Sequence, residues 1–283
     1  VQDEDIVKVH VHTLKPGNAL NIAQRFGEFV KLKIENMQEQ ADTIQSNAGT
    51  IVGVDDNAKP KREAKETAVI SVCAGDGLKD AFLELHCDYV VSGGQTMNPS
   101  AEDMVQAVRD VNAKNVIILP NNSNIVMTAQ QTATILEDEV NVIVIPTKTI
   151  PQGLSACIMF NPDASLDDNV AEMTEAVGNV KTGQVTFAIK DTNIDGVEIK
   201  ANDYMALVEK DIVACKDNKL KALKVVLEKL VDEDAELITL IYGEDVNDDD
   251  IEEIESFVED NFEAELEVVN GKQPVYSFIV GVE

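Results

Sequence analysis

The sequence predicts an α/β protein: a two-lobed domain, one lobe on a mostly parallel sheet and one on a mixed sheet, preceded by a partial β-α-β domain. Three observations carry this. Apolar runs alternate with amphipathic segments from residue 67 to 177, the pattern of stacked βαβ units. The first run, 67–73 (T-A-V-I-S-V-C), is continuously apolar, as a strand covered on both faces must be. After Gly183 the rhythm changes to short strands broken at Gly196, Asn202 and Asp203, which calls for mixed or antiparallel pairing.

In order, 6–12 (I-V-K-V-H-V-H) alternates with period two and reads as a strand, 19–26 as a short helix, and 29–34 (F-V-K-L-K-I) as a second strand. These 36 residues are too few to bury their own core, so they read as the closing part of a domain whose first half lies upstream. Residues 37–66 are polar and aperiodic, a linker. The parallel lobe occupies 67–183. Strands are expected at 67–73, 88–91, 115–119 and 141–145, with helices at 78–86, 101–111, 125–136, 154–160 and 166–177. Ser100 with Asp103, and Ser165 with Asp168, mark two of the helix starts, and Pro99 disfavours helix just before the first. Asn124 is expected to cap the helix at 125. The mixed lobe, 184–283, should hold strands at 184–189, 204–208, 212–214, 236–242, 266–269 and 276–280. Its amphipathic helices fall at 220–231 and 251–262.

Composition narrows the function. The chain has 283 residues, 44% of them hydrophobic, and 52 Asp and Glu against 23 Lys and Arg, a formal charge of −29. Residues 191–283 alone carry 26 acidic side chains against 8 lysines. Nucleic acid and anionic membrane surfaces both need a basic face, so neither is an expected partner. A solvated acidic surface and a face for a basic partner both remain open. No apolar run reaches membrane-spanning length. The four cysteines lack C-x-x-C spacing and read as buried free thiols in a reducing, cytoplasmic setting.

The stretch 92–124 draws most attention. S-G-G-Q-T-M-N-P-S and P-N-N-S-N each follow a buried strand, so both loops sit at strand C-terminal ends, where open α/β sheets bind ligands. Gly93, Gly94, Gln95, Thr96, Asn98, Asn121 and Asn122 offer amides, hydroxyls and backbone N–H groups without an acid or base, which suits holding a ligand or partner. Asx turns and helix caps would explain the same residues. Lys148, after the next strand, either adds a positive charge for an anion or is a solvated loop lysine. Ala74-Gly75-Asp76-Gly77 sits between strand and helix as a phosphate loop would, but lacks both nucleotide fingerprints and reads as a tight turn. His10 and His12 share one strand face, either as two ligands of a tetrahedral metal or as two surface histidines. His86 is the only histidine in the two lobes, and no nucleophile elbow is present.

These motifs resemble a known family. K-V-H-V-H-T-x-x-P-G, I-E-N-M-x-E-Q, S-G-G-Q-T-M-N-P-S, I-I-L-P-N-N-S-N-I and P-T-K-T-I-P-Q-G-L-S-A, in that order over nearly the whole chain, are similar to the ATP-dependent subunit of bacterial fatty acid kinase, a dihydroxyacetone-kinase-like family. The resemblance implies an N-terminal nucleotide-binding domain absent here, a middle domain ending at residue 36, and a C-terminal domain similar to DegV-like fatty-acid-binding proteins. In those proteins a T-S-Q-P-S loop lies near the fatty-acid carboxylate; the loop here is longer and glycine-rich.

The implied role is non-catalytic: homodimerisation through the middle domain, and docking of a separate DegV-like subunit that carries the fatty acid. ATP and magnesium would act only through the missing domain. The resemblance also implies zinc at His10 and His12, with a third ligand, a Cys, upstream of residue 1. Two alternatives accompany this reading: a protein that itself holds a fatty acid or anion at the 92–124 loops, and a dihydroxyacetone-type kinase using His86.

Overall fold

The computed structural model describes residues 2–3, 6–7, 16–27, 65–94, 97–194 and 196–283. The chain divides into two units, Val1–Lys59 and Pro60–Glu283. In the first, β1 (Gln2–Asp3) pairs antiparallel with β2 (Ile6–Val7), and α1 (Pro16–Ala23) follows. The helix starts three residues before the expected 19, because proline's fixed φ suits a first helical turn. The rest of the strand expected at 6–12, the strand at 29–34 and residues 37–64 of the expected linker lie outside the described residues. Lys65 and Glu66, expected in the linker, instead open a strand.

The second unit holds the two expected lobes. The first is a four-stranded, all-parallel sheet of β3 (Lys65–Cys73), β4 (Tyr89–Ser92), β5 (Ala113–Leu119) and β6 (Asn141–Val144), in the order β4-β3-β5-β6. Alternate side chains of β3 and β5 enter different cores. Ala68, Ile70, Val116 and Ile118 pack beneath α3 (Ala101–Val111) and α4 (Ser123–Ile135). Val69, Cys73, Ile117 and Leu119 face α2 (Asp76–Glu84), α5 (Ile150–Met159) and α6 (Leu166–Asn179). Both faces are covered, which explains the continuous apolar run at 67–73.

The second lobe is a six-stranded mixed sheet. Its strands are β7 (Lys181–Phe187), β10 (Tyr204–Val208), β11 (Asp211–Lys216), β12 (Leu237–Tyr242), β13 (Glu265–Asn270) and β14 (Tyr276–Val282), ordered β11-β10-β7-β14-β12-β13. Only β12 and β13 pair in parallel. Around Gly196, where the sequence predicts a break in a meander without strand bounds, lies a small hairpin of β8 (Thr192–Ile194) and β9 (Val197–Ile199). One sheet face packs under α7 (Lys219–Leu230) and α8 (Asp248–Asn261), through Leu223, Val226, Leu227, Ile254 and Val258. From the other face Ile241 and Ile279 enter the same core as Val69 and Cys73, so one apolar layer joins the lobes.

Helix starts follow the local chemistry. Ser100 and Asp103 form a reciprocal capping box, as the spacing predicts, and Ser165 caps α6. The cap of α4 is Asn122 and not Asn124: the Asn122 side chain accepts the Asn124 backbone N–H at 2.9 Å. The helix therefore begins two residues earlier than apolar spacing implies. Helix α5 also starts early, at Ile150, because Thr149 caps it and Pro151 fits its first turn.

Candidate functional site

Strand order sets the site. β3, first in sequence, lies between β4 and β5, so the connection from β4 to β5 crosses it. The loops after β4 and β5 therefore leave from strands separated by β3, not from adjacent strands as the βαβ reading implied. Successive connections turn to opposite sides at β3 and β5, a topological switch point, and a crevice opens there at the strand C-terminal ends.

A cleft of about 60 Å³ occupies this crevice. Val72, Ala74 and Ile125 line it from the parallel lobe, and Gln184, Val275 and Ile279 from the mixed lobe. The seam below is tight. The Gly75–Leu78 turn presses on the segment after β13, where Leu78 N–H donates to the Gly271 carbonyl at 3.0 Å. A Cβ on Gly77 would stand 1.8 Å from the Asn270 carbonyl oxygen, and Gly75 has φ +114°. The two glycines let one lobe's backbone reach the other's. This is the tight-turn reading of A-G-D-G, with a packing purpose the local sequence does not disclose.

The predicted site residues take different places. Gly93 and Gly94 line the cleft, and Lys148 stands at its edge, exposed. Asn98 is exposed on the same loop; Gln95 and Thr96 lie outside the described residues.

Asn121 and Asn122 both line the cleft, but their side chains are engaged. Asn121, in the left-handed region at φ 56°, donates Nδ2–H to Ser71 Oγ at 2.7 Å and to the Val72 carbonyl at 3.0 Å. Its Oδ1 accepts from Thr147 Oγ1 at 2.8 Å, and its backbone N–H donates to the same hydroxyl oxygen at 2.9 Å. A Cβ on Gly153 would come within 2.1 Å of that Oδ1, so α5 is packed against it. Asn121 thus ties together β3, the loop after β6 and α5.

His86 lies in the connection between α2 and β4, at the opposite sheet edge from the cleft, so the geometry gives it no access to these loops. His10 and His12 lie outside the described residues. Among the described residues no group of three or more His, Cys, Asp or Glu is placed to hold a metal ion.

The mixed-lobe walls were not legible from local motifs. Gln273 is 3% exposed; its Nε2 donates to the Ile241 carbonyl at 3.3 Å and the Tyr276 carbonyl at 3.2 Å. Its Oε1 is buried without a partner, alone in this among the described residues. Gln184 also faces the cleft, and β-strand alternation around the core residue Val185 could have flagged it. Beneath the cleft, burial and the nearby Cys87 push the Cys73 thiol up to about 12. A hydrogen bond with Cys87, then burial, raise the Cys157 thiol.

The two-lobed α/β fold, a parallel sheet beside a mixed one, is DegV-like. The fold is similar to a DegV family protein of Corynebacterium glutamicum (TM-score 0.57, 15% identity, 77% of this chain and 96% of that one). It is also similar to a Thermotoga maritima protein described as having a fatty acid binding function (TM-score 0.56, 12% identity, 77% and 99%). The dihydroxyacetone kinase of C. freundii, solved with AMP-PNP and Mg²⁺, shares the fold as well (TM-score 0.57, 12% identity, 89% and 57%). At these identities the likeness is one of fold.

The family model for the C-terminal region of FakA-like fatty acid kinase proteins matches residues 68–283, and the FakA-like middle-domain model matches 1–44. The chain belongs to the FakA-like fatty acid kinase family. It is 45% identical to protein YloV of Bacillus subtilis over 284 residues, and 43% identical to an uncharacterised Staphylococcus aureus protein over 285. It spans about half the length of these relatives. No helix among the described residues is long and apolar enough to cross a membrane.

Proposed function

We propose that this part of the protein is a docking module of fatty acid kinase. It binds a separate DegV-like subunit that carries the fatty acid, and holds it for phosphorylation by a kinase domain outside this chain. Phosphoryl transfer depends mostly on positioning and electrostatics, so a module that only positions contributes directly to rate.

The observation that carries this reading is the size of the cleft. At about 60 Å³ it falls well below the roughly 300 Å³ from which small-molecule pockets begin. The same volume weighs against the alternative in which this chain encloses a fatty acid. The position of His86, at the far sheet edge, weighs against a dihydroxyacetone-type reaction at the cleft. Homodimerisation, a cytoplasmic location and zinc at His10 and His12 belong to the same proposal.

Titration calorimetry between the purified chain and the fatty-acid-loaded DegV-like subunit tests it. A saturable complex is expected. Absence of a complex, together with fatty acid retained by the purified chain in native mass spectrometry, would establish the lipid-binding alternative instead. For zinc, metal analysis should find more in a form extended upstream of residue 1 than in this chain. Equal zinc in a His10→Ala/His12→Ala variant of that extended form would refute the assignment.

A further inference from the structure

We infer that the inter-lobe cleft is an anchor pocket for a single aliphatic side chain, Leu, Ile or Met, of the protein partner; this rests on the docking reading. Volume is the first argument. The cleft of about 60 Å³ is far below the roughly 300 Å³ from which small-molecule pockets begin, a scale that suits one side chain and not an acyl tail.

The walls are the second argument. Val72, Ala74, Leu78, Pro274, Val275 and Ile279 give the cleft an apolar part supplied by both lobes, beside the amides of Asn121, Asn122, Gln184 and Gln273. A few side chains seated in well-packed, desolvated pockets carry most of the binding energy of an interface, and an aliphatic anchor in a pocket is one form such a centre takes. The third is the rim. Met97 is 63% exposed on the loop that includes Gly93 and Gly94, and Val275 is 36% exposed at the mouth. Exposed methionine adapts its shape to a partner.

Charge fixes the partner's chemistry. The chain carries −29, yet among the described residues no Asp or Glu lines the cleft, and Lys148 is its one charged lining residue. An entering apolar group displaces no carboxylate, while the chain as a whole is strongly acidic. The complementary surface is an aliphatic side chain ringed by Lys and Arg.

The test adds bulk at the pocket. A Cβ on Gly94 meets only the Ala74 Cβ, at 3.3 Å, a contact relieved by a shift of a few tenths of an ångström, so Gly94→Leu is the variant to use, with its melting curve as the check on the fold; Gly93 is unsuitable, since its Cβ would stand 2.6 Å from Pro99 Cδ. Val275→Asp puts a charge at the exposed mouth. Glu255→Lys, on the exposed face of α8, is the control.

Binding of the DegV-like subunit to the full-length protein is measured by calorimetry, with melting curves for every variant. Gly94→Leu and Val275→Asp should each weaken binding by about tenfold or more with the melting temperature held, and Glu255→Lys should leave it nearly unchanged. Wild-type binding with both cleft variants equally tight overturns the anchor and leaves docking intact. No wild-type binding overturns both. Palmitate retained by wild type and lost from Gly94→Leu in native mass spectrometry would assign the cleft to lipid and overturn the anchor.

Discussion

Asn121 shows how a residue can hold a site without touching a ligand. Both of its Nδ2 hydrogens and its Oδ1 are committed to Ser71, Val72 and Thr147 in a buried setting. Removing the amide strands a hydroxyl and a carbonyl at the end of β3, and unsatisfied buried groups cost about 1–3 kcal/mol each. Asn121→Ala should therefore lower unfolding free energy by about 2 kcal/mol in urea titrations. Gly153→Ala, which drives a Cβ into the same amide, should be destabilising too. Thiol chemistry gives a separate check. With Cys73 at about 12, its thiolate fraction at pH 8 is on the order of 10⁻⁴, and buried Cys87 and Cys157 share its core. Half-buried Cys215 should be the one thiol that an aromatic disulfide reagent labels before unfolding. Labelling of two or more thiols in the native protein would contradict that order.

At the scale of elements, caps decide where helices start, and one cap changes how the site must be probed. Ser100→Ala removes half of a capping box and should cost on the order of 1 kcal/mol. Asn122→Ala should cost a similar amount, because Asn122 caps α4; a fall in partner binding by that variant would mix stability with contact. Asn98 and Lys148 are cleaner probes, both exposed. Their alanine variants should melt within about 1 °C of wild type, as surface changes usually do. Element identity was legible in the sequence where apolar period and caps agreed, as in α3 and α6. It failed by two to four residues where a polar cap preceded the apolar stripe, as at Asn122 and Thr149. The β8–β9 hairpin escaped because its strands are three residues each and only partly buried, too short for a period to show.

The whole molecule depends on contacts between residues far apart in sequence, and these were the least legible. Sequence placed the 92–124 loops at a sheet edge correctly, yet about a third of the cleft wall comes from 184 and 273–279. The seam explains why: beside the apolar layer that joins the lobes, it uses backbone approach at Gly75 and Gly77, which carries no hydrophobic pattern. Gly77→Ala should push the lobes apart at Asn270 and separate their unfolding, seen as a broadened or split calorimetric transition. A single sharp transition at the wild-type temperature would show that the seam is not what couples them.

The position of β14 has its own consequence. It lies at the centre of its sheet between β7 and β12, and Thr186 on β7 bonds to the Val275 carbonyl 89 residues later. During synthesis β7 emerges from the ribosome long before its central partner exists, leaving an open strand edge exposed to aggregation or to chaperones. The parallel lobe has no such wait. Its birth order should therefore be parallel lobe first, with the mixed lobe closing only after residue 282 clears the exit tunnel. Stalled nascent chains ending before residue 276 should show a protease-resistant parallel lobe and a digestible remainder.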